Sequence, residues 1–242
     1  KLGQQNYQLV NKESLKKFLS DLKKQKEFCF DTETTGLNPF TDDLVGISFC
    51  WEAGNAYYLP EKLIKEIAKE LKGIFENEKI KKIGHNLKFD LEVINHYLDI
   101  KIKGLFFDTM IASYVLNPGH RQHSLDTLAF IEFGYQMQPI EELIGKGKGQ
   151  IKMSEVEIEK VSWYANEDAD LTFRLYQKLL PELEQENLKV LFFDLEMPLI
   201  QVLAEIENNG VKINSKFLKK LSADFKIRIE EIEKKTWKLA GQ

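Results

Sequence analysis

The sequence predicts an α/β fold, a mixed sheet covered by helices, and three observations carry that expectation. Residues 28–31, 44–51 and 56–59 are short apolar runs rich in aromatic and β-branched side chains. The stretches between them, "NPFTDD" and "EAGN", are turn-rich and short enough for antiparallel hairpins. Helix-like segments then alternate with a further strand, around 81–83, before a mostly helical remainder, which is the order of an α/β layout.

Each element has its own local reason. From about Lys12 to Lys24, Leu15, Phe18, Leu19 and Leu22 recur at helical spacing and predict an amphipathic helix. After the three strands, Leu63, Ile67, Leu71 and Ile74 place one apolar face on a second helix, and Gly84 with His85 reads as a strand-to-helix turn. Helices are expected over 86–98, 108–116, 125–133 and 155–178, with Pro118, Pro139 and the glycines of 145–149 as breaks. From Glu196 the texture changes: "NNG" at 208–210 ends a helix, "VKIN" reads as a short strand, and a strongly charged helix follows.

The chain has 242 residues, 43% apolar and 30% charged, an ordinary composition for a chain with a sizeable core. No apolar run reaches the roughly 18 residues of a membrane span and no leader segment opens the chain, so a cytoplasmic location without membrane contact is expected. The first residue is Lys1, which suggests a fragment of a longer protein. Cys29 and Cys50 are each next to phenylalanine in strand-like runs and read as small core residues. A net charge of −4 argues against a nucleic-acid partner only as a total, because a phosphate meets the local surface. Two stretches are locally basic: "KIKKIGHNLK" at 79–88 and "GKGKGQIK" at 145–152. Lys79, Lys81 and Lys82 are also consistent with a simple solvated surface, and the glycine-rich stretch with a mobile loop.

Four acids stand out by context. Asp31 and Glu33 end the apolar run "FCFDTET" and, two apart on a strand, share a face, so their charges repel. Taken alone they are equally consistent with capping a turn, as "TTGLNP" follows. Asp90 lies one turn into the apolar helix "HNLKFDLEVI". In "YANEDADLTFRLY", Tyr164 and Asp168 are four apart, and Leu171 and Leu175 continue that stripe toward a core. Glu167 and Asp170 fall off the stripe and are expected to be solvated. Buried carboxylates that face one another need a countercharge, and oxygen-only ligands suit Mg²⁺ or Mn²⁺ rather than Zn²⁺. Two such ions about 4 Å apart can activate a water and stabilise the oxygen leaving a phosphodiester.

Together, "DTETTGL", "HNLKFD" and "YANEDAD" resemble the three motifs of DEDD-type 3′→5′ exonucleases. The linking phrases "FDTMIASYVLNP", "IGKGKGQI" and "EMPLIQVLAEIENNGVKI" are similar to those of the bacterial DNA polymerase I family. The resemblance runs from about Gln25 onward and implies a ribonuclease H-like fold, with an exonuclease domain at 1–190 and the truncated start of a polymerase domain at 191–242. By the same resemblance, Asp31, Glu33 and Asp168 would hold one metal ion, Asp31 and Asp90 a second, and Tyr164 would position the attacking water. Thr32, Leu37, His85, Asn86, Arg121, Lys146 and Lys148 would meet the substrate, Leu37 wedging near the terminal base. His85 stands where the family often has glutamine, and Gln122 where it often has arginine.

The expected activity is removal of nucleotides from single-stranded or frayed DNA 3′ ends, releasing nucleoside 5′-monophosphates, beside a polymerase domain of the same parent chain. Two alternatives stand beside it: a ribonuclease D-like exoribonuclease, and a silent DNA-binding or spacer module.

Overall fold

The computed structural model of the protein describes residues 3–241, with Lys148 through its backbone alone. Six strands form one sheet: β1 (Asn6–Leu9), β2 (Glu27–Thr34), β3 (Leu44–Glu52), β4 (Asn55–Pro60), β5 (Lys81–Gly84) and β6 (Leu105–Asp108), in the order β1-β4-β3-β2-β5-β6. The pairs β2–β3 and β3–β4 are antiparallel, and β2–β5, β5–β6 and β1–β4 are parallel. Central β2 is covered on both faces, which explains its unbroken apolar run Phe28–Cys29–Phe30, all three fully buried.

Alternation along β2 divides its side chains. Phe28 and Phe30 pack with Phe49 of β3 and with Phe75 of α3 (Ala68–Phe75), Phe30 and Phe75 meeting edge to face at 5.1 Å between centroids. Phe18 of α1 (Leu15–Leu22) joins them against Phe49 at 5.4 Å. Each such pair adds about 0.5–1.5 kcal/mol beyond its burial. Cys29, Asp31 and Glu33 alternate onto the other face, crossed by the 28-residue helix α8 (Ile158–Gln185), which packs on β1 to β4. Asp31 and Glu33 are thereby aimed at α8.

Further helices are α2 (Glu61–Glu66), α4 (Leu87–Leu98), α5 (Thr109–Leu116), α6 (Leu125–Phe133), the short α7 (Glu141–Ile144), α9 (Met197–Asn209) and α10 (Ser215–Ala240). One helix was expected through Leu63 and Ile74, but α2 and α3 are separated at Ile67, whose φ −120° and ψ 22° break the helical path. All four apolar residues are buried on either side of the break, so their periodicity cannot reveal it. "VKIN" forms no strand, since β-branched residues make one only where a partner strand offers hydrogen bonds. Conversely, β1 and β6 are strands that the local pattern did not announce.

Two compact units divide the chain, Lys1–Glu205 and Ile206–Gln242. The expected boundary after residue 190 falls inside the first unit, where Phe192, Met197 and Ile200 are part of the core. In the second unit, Asn214 caps α10 by accepting the Phe217 N–H at 3.0 Å, and no residue of that helix is buried. Among the described residues no helix is long and apolar enough to cross a membrane.

Candidate active site

The end of β2, the start of α4 and the middle of α8 converge on one cleft. Oxygens of Asp31, Glu33 and Asp168 lie within 4.8 Å of one another. Glu33, Asp90 and Asp168 are buried and Asp31 is half-buried. Asp90 reaches the group from α4, where its Oδ1 accepts the Thr32 N–H at 3.0 Å and the Thr32 hydroxyl at 2.6 Å.

The turn that delivers α4 is built from exceptional residues. A Cβ at Gly84 would come against the side chain of buried Leu87, which would have to shift to admit it. Asn86 adopts φ 64°, a left-handed conformation that asparagine tolerates. Asp108 then holds the turn with one carboxylate, accepting the N–H groups of Asn86 (3.2 Å), Leu87 (2.7 Å), Met110 (2.9 Å) and Ile111 (3.2 Å). It caps α5 and fixes the entry of α4 together.

Electrostatically the cleft is unbalanced. Burial pushes Asp31 well above the usual carboxylate range and Glu33 pushes it further; burial and then Asp90 do the same to Glu33, with nothing opposing either shift. Asp90 is raised by burial and Asp31, against which the Thr32 hydrogen bonds pull weakly. Asp168 is raised by burial, Asp31 and Glu33, opposed by a hydrogen bond from Tyr164. The Tyr164 phenol is itself raised by burial and by the charge of Asp168. Four convergent carboxylates with so little positive charge among them fit a divalent cation, whose field would reverse each of these shifts.

The neighbouring acids differ from the sequence expectation. Glu167 and Asp170 are buried rather than solvated, because α8 is covered on more sides than one helical stripe. Glu167 accepts the Tyr135 hydroxyl at 2.7 Å and the Gln138 N–H at 2.9 Å. Asp170 accepts the Tyr7 hydroxyl at 2.9 Å, the Gly54 N–H at 2.7 Å and Arg174 Nε at 2.9 Å. Gly54 makes this contact with φ +88°, where a side chain would also crowd the Gln4 carbonyl.

The cleft, about 830 Å³, is lined by the four carboxylates and Tyr164 together with Thr32, Leu37, His85, Asn86 and Phe89. Thr32 commits both its donors to Asp90. Leu37 is 93% exposed at the mouth. His85 Nδ1 lies 2.8 Å from the Thr109 hydroxyl, and burial pushes the ring down to about 4, so it is neutral at pH 7. Arg121 and Lys146 are exposed and do not line this cleft, and the Lys148 side chain lies outside the described residues. Lys152, from the same basic stretch, does line it, as do Ile140 and Ile151. Phe89, not among the residues expected from the sequence, also lines it, and its place three residues beyond Asn86 is a helical spacing that could have pointed to it. Lys82 is fully buried, its Nζ donating to the Asn77 carbonyl at 2.5 Å, so it belongs to no solvated patch.

A family model described as 3′-5′ exonuclease matches residues 7–184, the span that holds every carboxylate of the cleft. The chain belongs to that 3′-5′ exonuclease family. DNA polymerase I of Pseudomonas aeruginosa is 35% identical over 237 residues, covering 93% of this chain and 26% of the relative. For DNA polymerase I of Chloroflexus aurantiacus the identity is 38% over 238 residues, covering 94% and 25%. The chain thus spans about a quarter of the length of these curated relatives. Brucella melitensis NrnC bound to pGG superposes with a TM-score of 0.68 at 21% identity, covering 86% of this chain and 94% of that one. Its likeness concerns the fold, which is the ribonuclease H-like arrangement of this exonuclease family.

Proposed function

We propose that this 3′-5′ exonuclease acts on the 3′ ends of single-stranded or frayed DNA, as the proofreading part of a DNA polymerase I whose remaining domains adjoin it. The observation that carries the reading is the meeting of Asp31, Glu33 and Asp168 within 4.8 Å, with Asp90 beside them, in an open cleft of a chain from this family. Asp31, Glu33 and Asp168 would hold one divalent ion, Mg²⁺ or Mn²⁺, and Asp31 with Asp90 a second. Bound there, the ions supply Lewis acidity for the attacking water and for the leaving 3′-oxygen.

The chain's own groups do the positioning. Tyr164 lines the cleft beside the carboxylates, and its phenol, pushed above its ordinary range by burial and by the charge of Asp168, stays protonated and orients a water by hydrogen bonding without removing its proton. Water oxygen attacks the terminal phosphorus, the bond from phosphorus to the 3′-oxygen of the preceding nucleotide breaks, and that oxygen takes a proton. A nucleoside 5′-monophosphate departs. Asn86, held in place by Asp108, and Leu37 at the mouth would embrace the terminal nucleotide, with the neutral His85 ring packed behind.

The test is a time course on a 5′-labelled single-stranded DNA with Mg²⁺, Mn²⁺ or chelator, beside the same sequence as RNA. A descending ladder on DNA that disappears with chelator and in Asp168→Ala supports the reading. A ladder on RNA alone would move the assignment to an exoribonuclease, and none from folded protein that binds the oligonucleotide would move it to a silent binding module.

A further inference from the structure

Glu167 is buried on α8 immediately before Asp168, yet its carboxylate turns away from the cleft toward the segment that follows α6. Its Oε1 accepts the Tyr135 hydroxyl at 2.7 Å and its Oε2 the Gln138 N–H at 2.9 Å. Gln5 Nε2 donates to the same Tyr135 oxygen at 3.3 Å, and Met137 packs down against Ala129 and Leu171. A second cleft of about 780 Å³ lies along this segment, walled by residues 136–141. Ile140, Tyr164 and Asp168 line both clefts, so the segment held by Glu167 forms a wall of the site shared between the two.

We propose that Glu167 is a positioning residue for the substrate strand: it pins residues 135–138 so that Ile140 is held as a fixed wall beside Tyr164 and Asp168. The inference rests on the exonuclease reading above, since only an extended substrate would use that wall. A wall that orients bound strand in the ground and transition states alike sets KM rather than kcat. The carboxylate acts here as an acceptor, so its charge is dispensable. Glutamine in its place can accept the Gln138 N–H with its oxygen and donate to Tyr135 with its amide.

The test uses the whole chain with Mg²⁺ and a single-stranded DNA 12-mer, and compares Glu167→Ala, Glu167→Gln and Tyr135→Phe. Glu167→Ala should raise KM about tenfold with kcat within about twofold, and Glu167→Gln should restore KM to within about twofold of the parent. Hydrogen exchange gives a readout independent of cleavage: the Gln138 amide should exchange faster in Glu167→Ala and at the parent rate in Glu167→Gln. If Glu167→Ala does not fold, Tyr135→Phe, expected to raise KM about threefold, carries the comparison alone. A fall in kcat at constant KM, or glutamine as damaging as alanine, would overturn the proposal by making the charge at Asp168 the operative element. An unchanged Gln138 amide in Glu167→Ala would overturn it as well. A parent protein that does not cleave the 12-mer while its Gln138 amide responds to Glu167→Ala would count against the exonuclease reading and leave the strut standing.

Discussion

Asp168 and Asp170 are two residues apart on α8 and both are buried, but their surroundings are opposite. Asp170 binds three donors, from Tyr7, Gly54 and Arg174, and knits β1 and the β3–β4 hairpin to the helix. Asp168 faces Asp31 and Glu33 and meets little beyond the Tyr164 hydroxyl. Burial is therefore not what separates these two acids. What separates this pair is whether the protein itself supplies the donors: Asp170, fully supplied, acts as a fastening, and Asp168, with little beyond Tyr164, is left open to a cation in the proposed reading.

The comparison can be broken by exchanging the two behaviours. Asp31→Ala should lower metal-dependent cleavage by about 10³-fold or more while the protein keeps its fold, measured as initial rate on single-stranded DNA. Full activity in a folded Asp31→Ala protein would remove that carboxylate from the site. Asp170→Ala should do the reverse, lowering unfolding free energy by about 3 kcal/mol because Arg174 and the Gly54 N–H lose their partner, while the rate per folded molecule changes only a few-fold. Urea unfolding checks it, and stability unchanged within about 0.5 kcal/mol would show that the network is not a fastening.

Lys82 sharpens the contrast as a buried charge of opposite sign that donates to a neutral carbonyl, that of Asn77. Burial lowers its ammonium from 10.5 to about 8. Between those values the unfolded chain binds more protons than the folded one, so stability should rise as pH goes from about 8 toward 10.5, by on the order of 1–2 kcal/mol. Lys82→Met should flatten that rise. An equal slope in parent and variant would assign it to another group.

Much of this contrast could be seen in the sequence, and the part that could not has a physical cause. Strand alternation put Asp31 and Glu33 on one face, and the helical stripe Tyr164, Asp168, Leu171 and Leu175 singled out Asp168. A helical wheel reports one packed face, however, and the partners of Asp170 and Glu167 come from elsewhere in the chain: Tyr7 is 163 residues from Asp170, and Tyr135 is 32 from Glu167. Local pattern carries no trace of such bonds. The same limit hid β1 and β6, four-residue strands whose pairing with β4 and β5 is decided by tertiary contact. It also raised "VKIN" to a strand for which no partner exists among the described residues.

The most direct test of the account is the sign of two stability changes in chelator. Thermal unfolding of Asp168→Asn and Asp170→Asn should move in opposite directions: Asp168→Asn should raise the midpoint by a few degrees, since it relieves repulsion with Asp31 and Glu33, and Asp170→Asn should lower it. Adding Mg²⁺ or Mn²⁺ should then stabilise the parent protein and Asp170→Asn but much less Asp168→Asn, as expected when only the native site binds the ion. A lowered midpoint for Asp168→Asn in chelator, or equal stabilisation of all three proteins by metal, would contradict the claim that Asp168, facing Asp31 and Glu33 with few donors of its own, is poised for a cation.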